Sequence, residues 1–358
     1  MEEVLNEHES ETIVNKCESC GANYIYDIES GNLKCEHCGS VKKIENDDTV
    51  QRRAMTDEIL NSRDQWNEAS VYRCNGCGAK EVLDKKDITR ICCFCGSSNI
   101  VAADELAGIK PDSVIPFQIT KDSAIDRFKQ WIKKRFWAPK AFKIADIRER
   151  MNALYCSSWS FSARTESNYN GTLGRVTVRH TSDGKTHTSV KWFRVSGNIT
   201  QEYNDYTIQS GDRISHIMFN KLKPYDFKNL KVYRQEYLSG IIAEHYTRNL
   251  ETCFNSFTTF VRTDLRRKII SKHNADRVQI LNIQTDYKNK RFNYILLPVY
   301  ICNYIYNKKT YNFYINGADG KVVGQYPKSK LKILLFAIGI GALVIGAAVG
   351  LYLAGVFN

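Results

Sequence analysis

Residues 333–357 read ILLFAIGIGALVIGAAVGLYLAGVF, an apolar run without a charged side chain. As an α-helix this run would be about 37 Å long, whereas the hydrocarbon core of a bilayer is about 30 Å thick. A surface helix of a soluble protein carries one polar face, and this run has none. The run therefore predicts a helix that spans a membrane. The alternative is a buried C-terminal helix of a soluble domain.

The residues that flank the apolar run predict its orientation. Four lysines lie shortly before it and one residue lies after it: Lys321, Lys328, Lys330 and Lys332, then Asn358. Lysine and arginine are enriched on the cytoplasmic side of spanning helices. We therefore expect a single-pass protein of the cell (inner or plasma) membrane whose N-terminal body faces the cytoplasm.

Small residues recur at every fourth position of the apolar run. They are Ala342, Gly346, Gly350 and Ala354. Such a stripe allows a second helix to approach closely, and Gly346 with Gly350 forms a GxxxG motif. The stripe predicts a homo-oligomer that is held together by its membrane helix. The alternative is that glycine and alanine are simply frequent in spanning helices.

The composition indicates a sizeable core and an uneven distribution of charge. The 358 residues are 43% hydrophobic, which is enough for two or three domains. Residues 1–73 contain 8 Lys and Arg against 16 Asp and Glu, whereas residues 111–358 contain 38 against 18. A basic body indicates either nucleic acid or an anionic membrane surface as its partner. The predicted anchor favours the membrane surface.

Eight of the 12 cysteines form a repeated pattern near the N-terminus. The start of the chain has no apolar signal peptide, so we expect a cytosolic body with reduced cysteines. Each unit has two CxxC pairs, each pair is followed by glycine, and the second unit repeats the first 57 positions later. The predicted metal ligands are Cys17, Cys20, Cys35 and Cys38 in the first unit, and Cys74, Cys77, Cys92 and Cys95 in the second.

This spacing predicts two zinc ribbons that bind two Zn²⁺ ions. Zinc prefers four ligands in a tetrahedron, and one tight CxxC turn supplies two of them. Glycine after the second cysteine allows the positive φ that closes the turn. The alternatives are iron in place of zinc, ligands shared between the two units, and Cys93 in place of Cys92. The ribbons are either purely structural or docking surfaces, and the sequence leaves both roles open.

Together these features predict a multidomain α+β protein. It consists of two tandem N-terminal zinc ribbons, a central mixed α+β body with antiparallel sheets, and one C-terminal transmembrane helix. The predicted domains are an acidic lead with zinc ribbon 1 (residues 1–43), a linker or polar helix (44–70), zinc ribbon 2 (71–103), the basic α+β body (104–330) and the membrane anchor (331–358).

Hydrophobic periodicity predicts the helices of the body. Thr120 can cap a helix that continues to about Arg135, with an apolar face on one side and lysines on the other. This helix packs on a sheet or, alternatively, lies on anionic lipid. A second, longer helical pattern covers residues 236–271.

Alternating polarity predicts the strands of the body. Residues 158–163 and 176–195 follow strand patterns, and a hairpin turn at 182–185 places His180 opposite His187. This pair indicates an ordinary cross-strand contact or, alternatively, a metal site that lacks an evident third ligand. Strands at 278–283, 294–306, 311–315 and 321–324 follow, and the last three predict an antiparallel meander.

Common catalytic motifs are missing from the sequence. It contains no GxxxxGK[ST], HExxH, GxSxG or GxGxxG. Cys156, Cys253 and Cys302 stand alone in apolar surroundings, which is typical of core residues. We therefore expect a protein that is not an enzyme.

A set of short motifs beyond the CxxCG pairs carries a resemblance to a known family. They are Ile115-Pro116-Phe117, Trp131 with Ala138-Pro139, Tyr155 with Trp159, Tyr237-Leu238-Ser239-Gly240, Ala243-Glu244 with Tyr246, Leu297-Pro298-Val299-Tyr300, Asn316-Gly317 with Gly320-Lys321-Val322 and Gly324, and Pro327 with Ser329. In these motifs the chain resembles the bacterial membrane proteins called TFIIB-type zinc ribbon-containing proteins, of the YdjG type. It departs from them at Cys156-Ser157, where bulkier residues or proline are expected, and at Asp319, where threonine is usual.

The resemblance implies a function that the residues alone do not. It implies a non-enzymatic adaptor that recruits partner proteins to the cytoplasmic face of the membrane in an envelope-stress, phage-shock-like system. The implied partners are an SPFH-domain (flotillin-like) scaffold and a phage-shock protein A-like protein. The alternative is a membrane-tethered nucleic-acid-binding protein that uses its ribbons and basic body. The acidic N-terminal residues count against this alternative.

Overall fold

The computed structural model describes residues 16–46, 48–56, 70–75, 80–83, 100–102, 109–143, 147–180, 186–307 and 309–353. Within these ranges the architecture is mixed α+β with antiparallel sheets. The strands are β1 (Tyr24–Asp27), β2 (Asn32–Cys35), β3 (Val41–Lys42), β4 (Arg53–Ala54), β5 (Ser70–Cys74), β6 (Lys80–Leu83), β7 (Ile100–Ala102), β8 (Ser113–Val114), β9 (Met151–His180), β10 (Thr186–Gln209), β11 (Lys231–Val232), β12 (Ile242–Glu244), β13 (Arg277–Tyr306), β14 (Lys309–Asn316) and β15 (Val322–Gly324). The α-helices are α1 (Lys121–Lys133), α2 (Lys140–Lys143), α3 (His216–Leu222), α4 (Leu250–Lys272) and α5 (Lys330–Leu353), and 3₁₀ helices cover Phe227–Asn229 and Gln235–Leu238.

Three long strands form the centre of the body. β9 and β13 each contain 30 residues and β10 contains 24. β9 lies in the middle and pairs antiparallel with β10 along one edge and with β13 along the other. Residues 154–161 of β9 are all buried, because α1 and α4 cover one face of the sheet there and α3 covers the other. Further along, buried and more exposed residues alternate, as expected for a sheet with one open face.

β13 is one continuous strand, whereas the sequence predicts a break between residues 283 and 294. The intervening residues are mostly polar, which resembles a loop in sequence. In the structure they pair with β9, and Lys288 Nζ donates to Glu166 Oε2 on that strand over 2.6 Å. An irregularity follows at Asn289, whose φ is +51°. The predicted meander is confirmed, since β13 pairs with β14 and β14 with β15.

Helix α1 agrees with its sequence prediction. The Thr120 hydroxyl accepts a hydrogen bond from Ser123 N over 3.2 Å, as an N-cap does. The apolar face is buried, and Phe128 stacks on Phe313 of β14 with 4.1 Å between ring centroids. This face therefore packs on the sheet, and the alternative in which α1 lies on lipid is wrong.

The predicted long helix over residues 236–271 is wrong in its first half. Residues 235–238 form a 3₁₀ helix, Gly240 has a φ of +78°, and β12 follows. Helix α4 begins only at Leu250, where the Asn249 side chain accepts from Thr252 N over 2.9 Å. The apolar spacing around residue 242 suits a helix and a buried strand equally well, and β12 pairs with both β9 and β6.

The hairpin of β9 and β10 is confirmed, but its register differs by one residue from the prediction. His180 pairs with Thr186, whose Oγ1 lies 3.1 Å from His180 Nδ1, and His187 pairs with Arg179. Neighbouring positions of a strand point to opposite faces of a sheet, so the two imidazoles do not face each other. The two-histidine metal site is therefore wrong. The predicted turn at 182–185 lies outside the described residues.

Of the predicted linker, residues 44–46, 48–56 and 70 are described, and they contain strand residues (β4 and the first residue of β5) but no helix. β4 pairs with Arg291 and Phe292 of β13. Arg53 Nε also donates to Asp112 Oδ1 over 2.6 Å. This segment is therefore attached to the body, because its backbone completes an edge of the main sheet.

A carboxyl group lies buried at the end of β12. Glu244 Oε2 is 3.2 Å from Cys156 Sγ, and Arg213 N donates to Glu244 Oε1 over 3.4 Å. Gly211 provides the space, because a Cβ at that position would lie 2.1 Å from the carboxyl carbon. Burial raises the pKa of Glu244 to about 7, since loss of water disfavours the charged form.

The variant Glu244→Gln is expected to lose part of the pH dependence of stability. The carboxyl of Glu244 has a pKa near 4.5 in the unfolded chain and near 7 in the folded protein. As the pH rises from 4.5 to 7, the wild type therefore loses stability, because the unfolded state releases this proton first. Relative to the wild type, the variant should gain up to about 3 kcal/mol in free energy of unfolding between pH 5 and 8. Denaturation of the full chain in detergent measures this difference. Glu202→Gln, at an exposed position of β10, is the matched control. A stability difference that stays constant across this range would contradict the assignment.

Candidate metal centre

Four cysteines of the first predicted ribbon lie together in the structure. The sulfur atoms of Cys17, Cys20, Cys35 and Cys38 all lie within 4.8 Å of one another. The closest pairs are Cys17 with Cys38 at 3.4 Å and Cys20 with Cys35 at 3.5 Å. A tetrahedral site with Zn–S bonds of about 2.3 Å has sulfur atoms about 3.8 Å apart. The cluster is therefore compact enough to hold one metal ion, and its four thiols are a donor set that zinc prefers.

Local backbone structure brings these cysteines together. β1 and β2 form an antiparallel hairpin, which places one CxxC turn beside the other. Gly21 N donates to Cys17 O over 2.8 Å, and Gly39 N donates to Cys35 O over 2.9 Å. The two glycines have φ values of +74° and +76°, which side chains disfavour. The predicted role of glycine after each CxxC pair is thus confirmed in this ribbon.

The electrostatics of the cluster favour a cation. The Ser40 hydroxyl lies 2.9 Å from Cys17 Sγ and lowers the pKa of Cys17 to about 5. The Ala22 backbone N–H lowers the pKa of Cys20, but partial desolvation and the neighbouring cysteines outweigh it and set that pKa at about 12. The neighbouring cysteines therefore oppose ionisation of Cys20. A bound divalent ion would offset this repulsion and keep every thiol deprotonated.

Ser40 lies beside the thiol cluster, and the sequence prediction missed it. Its hydroxyl lies near two of the four sulfur atoms, Cys17 Sγ and Cys38 Sγ, the latter at 3.2 Å. Its position directly after a CxxCG motif is the only signal in the sequence, and serine is too common in turns for that signal to be specific.

The ribbon is held against the body by side-chain and backbone contacts. Tyr26 N donates to Ser239 O over 3.0 Å, and the Tyr26 and Tyr237 rings meet edge to face at 5.5 Å. Asn46 Nδ2 donates to Val232 O over 2.8 Å. Cys17 and Cys35 are buried, whereas Cys20 and Cys38 are exposed. The two CxxC turns therefore face solvent while β1 faces the body.

The second predicted ribbon is described only in part. Cys74 is buried at the end of β5, whereas Cys77, Cys92, Cys95 and the competing Cys93 lie outside the described residues. β5 pairs with β6 and β7, and β6 pairs with β12 of the main sheet. In the described part of the chain, one cluster of metal-binding residues is found, so the second zinc ion remains a prediction.

Among the described helices, α5 is long and apolar enough to cross a membrane. The candidate span is Lys330–Val349, and none of it is buried inside the protein. The alternative of a helix buried in a soluble core is therefore wrong for the described residues. Ala342 and Gly346 are exposed, and a Cβ at Gly346 would meet no atom within 4 Å. Gly350 lies in the helix, Ala354 lies outside the described residues, and helix pairing remains a prediction.

Comparison with known proteins yields one curated relative of similar length. The chain is 30% identical over 330 residues to a Bacillus subtilis (strain 168) protein named "Uncharacterized protein YdjG". The match covers 91% of this chain and 93% of the relative. No known protein-family profile matches, and no solved structure matches. The relative's name mentions neither zinc nor a partner protein.

Proposed function

This chain belongs to the YdjG family, and on that premise we propose that it is a non-enzymatic membrane-anchored adaptor. Helix α5 anchors the protein in the cell membrane, with the body on the cytoplasmic side. The first ribbon binds one zinc ion through Cys17, Cys20, Cys35 and Cys38, and the second ribbon binds another. The ribbons recruit partner proteins to the membrane surface.

One observation carries this proposal: a thiol cluster suited to zinc and an uncovered apolar helix occur in the same chain. The metal would fix the two CxxC turns in a single conformation, because a ribbon of this size has little core of its own. A rigid and solvent-facing surface suits the binding of another protein, since less conformational entropy is lost on association. Bound zinc would serve this structural purpose and no chemical step.

The exposed surface of the first ribbon supports docking of a protein. Val41 lies on β3, one of the two edge strands of the small sheet, and its side chain is 56% exposed. An edge strand presents unpaired backbone groups, and an apolar side chain beside them adds a hydrophobic contact. The family resemblance adds candidate partners, namely an SPFH-domain scaffold and a phage-shock protein A-like protein, in an envelope-stress system.

The variant Val41→Glu is expected to lose the partner proteins while it stays in the membrane. A charge at this position opposes burial in an interface but leaves the four cysteines untouched. Affinity purification of the tagged full chain from membranes, with identification of the co-purified proteins, measures the effect. We expect at least a tenfold drop, since one buried charge costs several kcal/mol. The control Val178→Glu changes a valine on β9 that is 51% exposed, and it should keep all partners.

The same purification distinguishes the alternatives. Partners that remain bound to the Val41→Glu variant at wild-type levels would show that this face of the ribbon is not their docking site. If nucleic acid co-purifies with the protein, and nuclease treatment releases no other protein, the result would favour the nucleic-acid-binding alternative. Its binding would weaken steeply with added salt.

A further inference from the structure

A loop of the body is attached to the first turns of the apolar helix. Ser329 N donates to Trp137 O over 2.8 Å, and the Trp137 and Phe336 rings meet edge to face at 5.2 Å. Lys332 Nζ donates to the carbonyl oxygens of Phe136 and Ala138, each over 2.8 Å. The loop at residues 135–138 therefore has a fixed position along the axis of α5.

The same loop is connected to the core of the body on its other side. Ala138 is fully buried. The Arg135 guanidinium lies 4.7 Å from the Trp131 ring centroid and 5.9 Å from that of Tyr326, and these two rings meet at 5.9 Å. The contacts leave the loop little freedom, because both of its ends are packed against folded structure.

The outer side of this loop combines an exposed aromatic ring with lysines. Phe136 is 63% exposed, and Lys332 Nζ lies 5.6 Å from its ring centroid. Lys134, Lys328 and Lys330 are exposed on the adjoining segments. Aromatic rings and lysines are enriched where a protein surface meets the headgroups of a bilayer. We call this surface the collar, and it consists of Phe136, Trp137, Lys134, Lys328, Lys330 and Lys332.

The position of the collar along α5 determines what surrounds it. The apolar run begins at Ile333, and Phe336 lies three residues, or about 5 Å, further along the helix. If α5 spans a bilayer, Phe336 lies in hydrocarbon near its boundary. Trp137 contacts Phe336, so the loop lies at that same boundary, whichever side of the membrane the body occupies.

We propose that the collar is a second membrane contact, in which Phe136 inserts among the acyl chains and the surrounding lysines bind anionic phospholipid headgroups. This inference rests on the anchoring part of the proposed function and is independent of the partner proteins. The charge is complementary to an anionic leaflet, where lysines near the surface are attracted to lipid phosphates. The consequence is that the body lies against the membrane surface through two contacts and is held in one orientation.

Photo-crosslinking tests the collar in the full chain. The protein is reconstituted into vesicles of phosphatidylcholine and phosphatidylglycerol (3:1), with p-benzoylphenylalanine in place of Phe136, Phe336 or Ile217. Ile217 is the matched control, because it is 65% exposed and lies on α3. After irradiation, mass spectrometry measures the fraction of protein with a covalent lipid adduct. We expect adducts at positions 136 and 336, and at least tenfold less at position 217.

The outcomes separate the collar from the anchor. Adducts at 336 without adducts at 136 would overturn the collar and leave the anchor intact. Absence of adducts at 336 would overturn the anchor, and the collar with it. The lysines are tested by Lys134→Gln together with Lys328→Gln, which should lower the adduct yield at 136 several-fold and leave the yield at 336 unchanged. An equal yield at 136 in this variant would overturn the assigned role of the lysines.

Discussion

Replacing Cys17 and Cys35 by serine is expected to remove one zinc ion per chain and to unfold the first ribbon. These two sulfur atoms are half of the cluster and also part of the small core under it, together with Tyr24 and Leu33. Structural zinc sites of this kind contribute apparent binding free energies of about 10–16 kcal/mol, far more than so small a core supplies. Metal analysis of the purified protein measures the zinc content. Hydrogen exchange of the β1 and β2 amides measures the loss of structure.

The control for this prediction is Cys253→Ser. Cys253 is buried in α4, outside the thiol cluster, and serine is close to cysteine in size. This variant should keep the zinc content of the wild type and the protection of the β1 and β2 amides. A Cys17→Ser/Cys35→Ser protein with unchanged zinc content would rule out the centre described here.

Deletion of residues 330–358 is expected to move the protein from the membrane to the soluble fraction. Residues 333–349 contain ten Leu, Ile, Val and Phe side chains, and all of them are exposed in the structure. On insertion scales, each such residue contributes roughly 0.3–0.6 kcal/mol, so together they shift partitioning into the membrane more than about a hundredfold. Ultracentrifugation of lysed cells, followed by detection in pellet and supernatant, measures this partitioning. The deleted protein should retain its zinc, which would show that the first ribbon still folds.

The variant Gly346→Leu/Gly350→Leu serves as the control for this second prediction. It changes two residues of the small-residue stripe but keeps the helix apolar, so the protein should stay in the pellet. Full-length protein in the supernatant of cells that were lysed without detergent would contradict membrane anchoring. The proposed adaptor role and the collar would then both fail.

Features that depend on local sequence could be predicted well. The CxxCG pairs of the first ribbon determine their own turns, because two cysteines and a glycine within five residues leave few backbone conformations. Thr120 predicted the start of α1, since a cap acts within one helical turn. The apolar run predicted a helix that is not buried inside the described part of the protein. In each case the deciding residues are neighbours in sequence.

Features that depend on distant partners could not be predicted in this way. The polar residues around Lys288 form a strand because β9 supplies partners more than 100 residues earlier in the chain. The segment around residue 242 becomes β12 because it pairs with β9 and β6. The collar likewise depends on contacts between Trp137 and Phe336, which lie on separate elements. Sequence periodicity carries no information on such pairings.

The packing of Tyr26 on Tyr237 has a mechanical consequence. A ribbon on a loose tether would sample many directions, and a bound protein would diffuse within the reach of that tether. Here the small sheet is fixed to the body, so a captured protein would arrive at a set angle and distance from the lipid surface. Recruitment would then include alignment, because the cargo's own membrane-binding face could be presented towards the bilayer each time.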